Sequence, residues 1–182
     1  MMKNEQMEDL MRRFGDKVLH LAYSYLGDRH LAEDVAQEVF VRVFLNLNQF
    51  QGKSSLFTWI YQITVNLCRD HLRSQKRCRL KPTWEVPRYN VDVEDVVLTE
   101  MEYQELWQAI FNLPVAYREV IWLHYYDQLE LKEIAHILGI SLSAVKIRLY
   151  RARQQLQKAL QEGENRYEIS QAAGRIASQP AR

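Results

Sequence analysis

Wherever the spacing of apolar positions along this chain is regular it is helical, and the two-residue alternation of a strand is nowhere sustained long enough to build a sheet. In LAEDVAQEVFVRVF, Leu31, Val35, Val39 and Val43 recur every four residues and predict a buried stripe, with Asp34, Gln37, Glu38 and Arg42 on the opposite side. In FQGKSSLFTWIYQITVNLCRDHLRSQKRCR, Gly52, Ser54 and Ser55 mark a loop. Phe57, Ile60, Thr64 and Leu67 then keep helical spacing toward a core, while Thr58, Gln62, Asn66, Arg69 and Arg73 line another face. Toward the C-terminus, Ile134, Ala135, Ile137 and Leu138 form the stripe of a short helix that Gly139 can close with a positive φ. Ser141 is a good N-cap for the next helix, in which Val145, Leu149, Ala152 and Leu156 fall within one arc. Glu130 is a poorer cap for the short helix, whose start is therefore expected to fray. The pattern predicts an all-α protein.

Helix, glycine-containing turn and helix is the arrangement of a helix-turn-helix, whose second helix enters the DNA major groove. Here that helix turns Lys146, Ile147, Tyr150 and Arg151 away from its apolar arc. Lys146 and Arg151 can donate to guanine or phosphate, and Ile147 or Tyr150 can pack on a thymine methyl or a sugar. The polar face around Gln62 and Asn66 ends in a cationic cluster of Arg69, Arg73, Lys76, Arg77, Arg79 and Lys81, bordered by Trp59 and Tyr61. Interleaved aromatics, amides and cations are what single-stranded nucleic acid requires: π-faces for unstacked bases, hydrogen-bonding groups for base edges, charge for phosphates. The pattern alone is equally compatible with Trp59 in a core, and the stripe around Asp34 and Glu38 with a solvated surface.

Composition sharpens this picture where charge is uneven. The net charge of +1 over 182 residues conceals +4 in residues 1–81, −6 in 82–105, +2 in 106–162 and +1 in the remainder. Two basic modules flank an acidic connector, KPTWEVPRYNVDVEDVV, whose Pro82 and Pro87 and lack of helical period in its first half predict an extended linker. The expected organisation is a helical domain at 1–81, a linker at 82–95, a second helical domain at 96–162 and a flexible polar tail at 163–182. No apolar run reaches the roughly 18 residues of a membrane span and the N-terminus lacks a signal-peptide core, so a cytoplasmic protein without membrane insertion is expected. Cys68, His71 and Cys78 have ligand-like spacing, but no fourth ligand accompanies them and Cys68 lies beside the apolar stripe, so a buried inert thiol is predicted rather than a metal site. With no paired carboxylates, nucleophile constellation or phosphate-cradling glycine loop, neither catalysis nor a cofactor is expected.

Three segments in order, LAEDVAQEVFVRVF, FQGKSSLFTWIYQITVN and LPVAYREVIWLHYYDQLELKEIAHILGISLSAVKIRLYRAR, resemble the extracytoplasmic-function group of the sigma-70 family of bacterial RNA polymerase sigma factors, over residues 10 to 160. The resemblance implies a region 2 helical bundle and a region 4 helix-turn-helix. It implies that Leu31, Asp34, Gln37, Glu38 and Val41 dock on the β′ clamp coiled coil of core RNA polymerase, with the β flap as a further contact. It implies that Phe50, Lys53, Ser54, Ser55, Thr58, Trp59, Gln62, Asn66, Arg69 and Arg73 melt and read the minus-ten promoter element as single strand, Phe50 and Asn66 holding a flipped-out base. Ser143, Lys146, Ile147, Arg148, Tyr150 and Arg151 would read the minus-thirty-five element as duplex. An anti-sigma factor, often membrane-anchored in the family, is an implied partner beside polymerase and promoter DNA. The alternative, a non-sigma helix-turn-helix regulator with a helical N-terminal domain, accounts for the C-terminal half but not for the aromatic and amide face.

Overall fold

Left-handed glycines and short polar caps decide where the helices start and stop. The computed structural model describes residues 2–52, 54–78 and 100–177; side chains at 2–4, 75–78, 100–102 and 163–177 lie outside the description. Helix α1 (Met2–Leu26) stops at Gly27, whose φ of 65° releases the chain, and Asp28 caps α2 (Arg29–Asn46) by accepting the Leu31 N–H at 3.0 Å. A 3-10 turn (Leu47–Gln49) leads to α3 (Leu56–Cys78). The start of α3 is closed by Ser55, whose Oγ accepts the Thr58 N–H at 3.1 Å. Val35, Val39 and Val43 of α2 are fully buried against Val18 and Leu21 of α1 and Ile60, Val65 and Cys68 of α3, so the four-residue spacing in the sequence is the contact stripe of a three-helix bundle.

The predicted linker at 82–95 lies outside the described residues. After it come α4 (Glu100–Asn112), α5 (Val115–Ile121), a π-helical segment (Trp122–Tyr126), α6 (Leu131–Leu138) and α7 (Leu142–Ala177); no strand occurs among the described residues. Helix α6 does not begin frayed as expected. The Glu133 carboxylate reaches back to accept the Glu130 N–H at 3.0 Å, so the box is closed from the third helical position rather than by the cap residue alone. Gly139, at φ 65°, ends α6, and Ile140 N–H reaches Ala135 O at 3.1 Å. Ser141 then caps α7 through the Ala144 N–H at 3.2 Å. Helix α7 passes Gly163, where a flexible tail was expected, and continues to Ala177. Gly163 and Gly174 each cost about 1 kcal/mol in a helix interior, and the Glu, Arg, Gln and Ala residues around them favour propagation.

The two sets of helices share one contiguous apolar core, α1 touching α5 and α3 touching α6. The rings of Trp107 and Trp122 lie 5.5 Å apart at a tilt of 52° beside Phe111, and Tyr23 of α1 meets the Phe111 ring edge-on at 5.6 Å. One backbone position runs against its residue type. Gln128, in the turn between the π-helical segment and α6, has φ 55° while the Leu129 N–H returns to Leu123 O at 3.0 Å. A side chain in this conformation costs about 1–2 kcal/mol relative to glycine. Replacing Gln128 by glycine is therefore expected to leave the thermal midpoint unchanged or raise it by a few degrees, whereas Gln128→Val is expected to lower stability by more than about 1 kcal/mol. Thermal unfolding followed by circular dichroism checks both, and a stabilising valine would contradict the reading.

Candidate nucleic-acid and polymerase interfaces

On α2, Asp34, Glu38 and Val41 project along one outer face at helical spacing, with Gln37 beside them. Glu38 is held by Arg42, whose Nη2 donates to Oε1 at 2.6 Å. Val41 is 56% exposed and the next residue of the same row, Leu45, is 65% exposed. The acidic row thus ends in two exposed aliphatic side chains. Leu45 escaped the sequence reading, although its four-residue offset from Val41 was a usable signal. Leu31 is only partly buried and sits at the margin between this face and the core.

At the other edge of the bundle the rings of Phe50 and Trp59 lie 5.2 Å apart, tilted by 39°. Beside them a cleft of about 320 Å³ is lined by Arg42, Asn46, Gln49, Trp59, Ile63 and Asn66. Trp59 is half-buried, with one side on the core and the other on the cleft. Asn66 is exposed at the rim. Thr58 is placed differently from its polar neighbours: it is buried, and its hydroxyl pairs with Ser55 Oγ at 2.7 Å, so both groups complete the helix cap. Ser54 is half-buried and Lys53 lies outside the described residues, as do Arg79, Lys81 and the side chains of Lys76, Arg77 and Cys78. Tyr61, expected to border the cations, is fully buried.

Two members of the same face reach across to the C-terminal helices. Gln62 Nε2 donates to His136 O at 3.0 Å, and Arg69 donates to Leu138 O at 3.2 Å and to both Glu119 oxygens at 3.1 and 3.2 Å. Arg73 remains exposed, paired with Asp70 at 3.2 Å. On α7, Ser143, Lys146, Ile147, Tyr150 and Arg151 all face solvent, Ile147 at 51% and Tyr150 at 61% exposure. Arg148 does not join them: its Nη1 donates to Glu119 Oε1 at 2.7 Å, making it a strut between α7 and α5. Tyr125, 54% exposed, extends the outer surface, its hydroxyl accepting from Arg153 Nε at 2.6 Å.

Comparison with known proteins matches this layout segment by segment. Sigma-70 region 2 matches residues 10–78 and Sigma-70, region 4 matches residues 103–156. The chain is 37% identical over 165 residues to the ECF RNA polymerase sigma factor SigW of Bacillus subtilis, covering 85% of this chain and 88% of that protein. It belongs to the ECF group of the sigma-70 family. The RNA polymerase sigma-H factor of Pseudomonas aeruginosa is 30% identical over 165 residues, covering 84% of each chain. The sigma factor RpoE of Bartonella quintana, solved with the anti-sigma factor NepR, has the same fold at TM-score 0.71 and 21% identity, over 86% of this chain and 98% of that one. CnrH, solved with the cytosolic domain of CnrY, follows at TM-score 0.66 and 24% identity, over 87% and 90%. The chain is thus a non-catalytic transcription initiation factor. No helix among its described residues is long and apolar enough to cross a membrane.

In this sigma factor the strongest electrostatic departures lie inside, where α1 and α3 meet α5 and the turn before α6. Burial pushes the Cys68 thiol above its ordinary range, disfavouring the thiolate. Burial also raises the Tyr25 hydroxyl, with Glu119 adding to the effect. Asp127 accepts from the Tyr61 hydroxyl at 3.0 Å through Oδ1, while its Oδ2 has no hydrogen-bond partner among the described residues. Burial lifts its carboxyl to about 7, against the opposing pull of the Tyr61 hydrogen bond and Lys17. A carboxyl raised in this way contributes stability that is present below its unfolded value of about 4 and lost as pH rises through about 7. Asp127→Asn keeps an acceptor for Tyr61 without the charge, so the difference in thermal midpoint between variant and wild type should move in the variant's favour from about pH 5.5 to about pH 8. A difference independent of pH would show that Asp127 titrates in the ordinary range.

Proposed function

We propose that this sigma factor reads its promoters in two states of DNA: the minus-ten element as melted single strand at the cleft beside α3, and the minus-thirty-five element as duplex on the outer face of α7. The observation that carries the reading is the cleft itself. Trp59 supplies an aromatic wall with the Phe50 ring 5.2 Å behind it, Asn66 an amide able to both donate and accept, and Arg42 a cation shared with Glu38; Trp59, Asn66 and Arg42 line a space large enough for a base. Duplex DNA presents no unstacked base to such a cleft, so its use requires local melting. On α7, Lys146 and Arg151 supply phosphate or guanine contacts and Ile147 and Tyr150 apolar ones, with Ser143 at the helix start. Arg148 supports this surface from behind through Glu119. The α2 row of Asp34, Gln37, Glu38, Val41 and Leu45, edged by Leu31, docks on core polymerase at the β′ clamp coiled coil. The β flap would engage the C-terminal unit. An anti-sigma factor fits as a further partner, since relatives of the same fold were solved with one.

Asn66→Ala and Phe50→Ala are each expected to weaken open-complex formation by core polymerase by about 1–3 kcal/mol, the range that one stacked base is worth in a single-strand site. Binding of upstream duplex should be unaffected. Permanganate footprinting on linear promoters reads this directly, and variants that open as fully as wild type would make the cleft structural. Docking has a separate test. Reversal of both Asp34 and Glu38 to lysine should abolish co-purification with core polymerase while leaving helicity intact; retention at the wild-type level would move the docking surface elsewhere.

A further inference from the structure

Two rows of the same spacing build the cleft beside α3. Arg42, Asn46 and Gln49 come from the end of α2 and the turn after it, and Trp59, Ile63 and Asn66 come from one face of α3, each row stepping by four residues and then three. The α3 row opens with two apolar walls, Trp59 and Ile63, on which the flat face of a base can lie. The α2 row is polar throughout and suits the hydrogen-bonding edge of that base. Two of its members are already committed on one side. Asn46 Nδ2 donates to Arg42 O at 2.8 Å. A carbonyl oxygen only accepts, so the Asn46 amide cannot turn over without losing that bond, and its Oδ1 is left as a fixed acceptor with no partner among the described residues. Arg42 gives Nε and Nη2 to Glu38 Oε1 at 3.1 and 2.6 Å, which leaves Nη1 as a donor. Asn66 makes no hydrogen bond among the described residues and can adapt to either role.

We propose that Asn46 selects the class of base that the cleft accepts: its pinned oxygen takes a hydrogen bond from the exocyclic amino group of a flipped-out cytosine or adenine, and thymine and guanine are refused. This selection rests on the reading of the cleft as a single-strand site and adds the residue that reads the base edge. In cytosine and adenine the amino donor sits next to a ring nitrogen that accepts, which Arg42 Nη1 or Asn66 can meet. Thymine and guanine reverse both groups. Their keto oxygen would face Asn46 Oδ1, and the neighbouring ring nitrogen carries its own hydrogen toward the donors. An asparagine free to turn over would accept either class by exchanging its oxygen and nitrogen; the bond to Arg42 O removes that freedom. Trp59 and Ile63 hold a base of any kind, and Asn46 discriminates.

The test uses holoenzyme assembled from the full-length chain and core polymerase, bound to a forked template made from a promoter it transcribes, with the minus-ten region of the non-template strand unpaired. Each cytosine there is replaced in turn by uracil and each adenine by hypoxanthine. Both changes turn the amino group into a keto group and put a hydrogen on the adjacent ring nitrogen, with nothing else altered. At one position wild type should lose at least about tenfold in affinity, the discrimination carried by one good base contact, and the replacement that acts tells cytosine from adenine. Asn46→Ala should bind the two templates within about twofold of each other, whereas Asn46→Asp, which keeps an acceptor in that place, should retain the preference. Equal sensitivity in Asn46→Ala and wild type would overturn the assignment, because another group would then be reading the amine. A wild type indifferent to every replacement, with Trp59→Ala still weakening the complex, would overturn it while sparing the cleft as a single-strand site. The same indifference with Trp59→Ala without effect would bring down the reading of the cleft as well. These wild-type outcomes stand whether or not an Asn46 variant folds.

Discussion

A carboxylate taken out of water must be met by donors, and Glu119 is met from three directions: Tyr25 on α1, Arg69 on α3 and Arg148 on α7. Removing one partner from a buried ion pair costs about 3–5 kcal/mol, because the remaining charge is stranded. That asymmetry makes Glu119 the point from which the rest of the arrangement is measured. It fixes the rotation of α7 by holding Arg148 inward, which turns Lys146, Ile147, Tyr150 and Arg151 outward. It draws the cationic end of α3 against the end of α6, which brings Gln62 within reach of His136 O. The shared apolar core and the Tyr61–Asp127 and Tyr126–His20 hydrogen bonds hold the same registry.

Much of the fold was legible because the burial stripes obey simple periodicity. Val35, Val39 and Val43, then Ile60, Thr64 and Leu67, then Val145, Leu149 and Ala152, are buried as their spacing requires, while Leu31, Phe57 and Leu156 at the stripe ends are only partly buried. The caps at Ser141 and Gly139 also follow from residue type. The departures have causes in the same terms. Glu130 by residue type is a weak start for α6, but Glu133 closes the box from the other side. The polar segment holding Gly163 and Gly174, which predicts a tail, is helical to Ala177 because the helix formers around those glycines favour propagation.

The candidate site was harder to read, since a helical wheel gives direction but not what stands opposite. Thr58, Gln62, Asn66, Arg69 and Arg73 share a face in sequence, yet their environments diverge. Thr58 completes a cap, Gln62 and Arg69 cross to other helices, Asn66 rims a cleft and Arg73 stays in solvent with Asp70. Tyr61 and Arg148 show the same limit: a tyrosine among cations and an arginine on a basic helix both turned inward because a buried carboxylate, Asp127 or Glu119, lay within reach. Such long-range pairs, 66 and 29 residues apart, carry no local sequence signal.

Membership of the sigma-70 family makes transcription initiation the setting for these surfaces, and the proposed reading depends above all on a base leaving the duplex and entering the cleft beside Trp59 and Asn66. The most direct measurement is a photo-cross-link. Open complexes assembled from this sigma factor and core polymerase would carry a photoreactive base at each position of the melted non-template strand in turn, and the attached peptide would be identified by mass spectrometry. A base held in the cleft gives cross-links from the minus-ten element to the segment spanning Phe50 to Asn66. Cross-links from those bases to α7, or to α2 alone, with none in that segment, would contradict it.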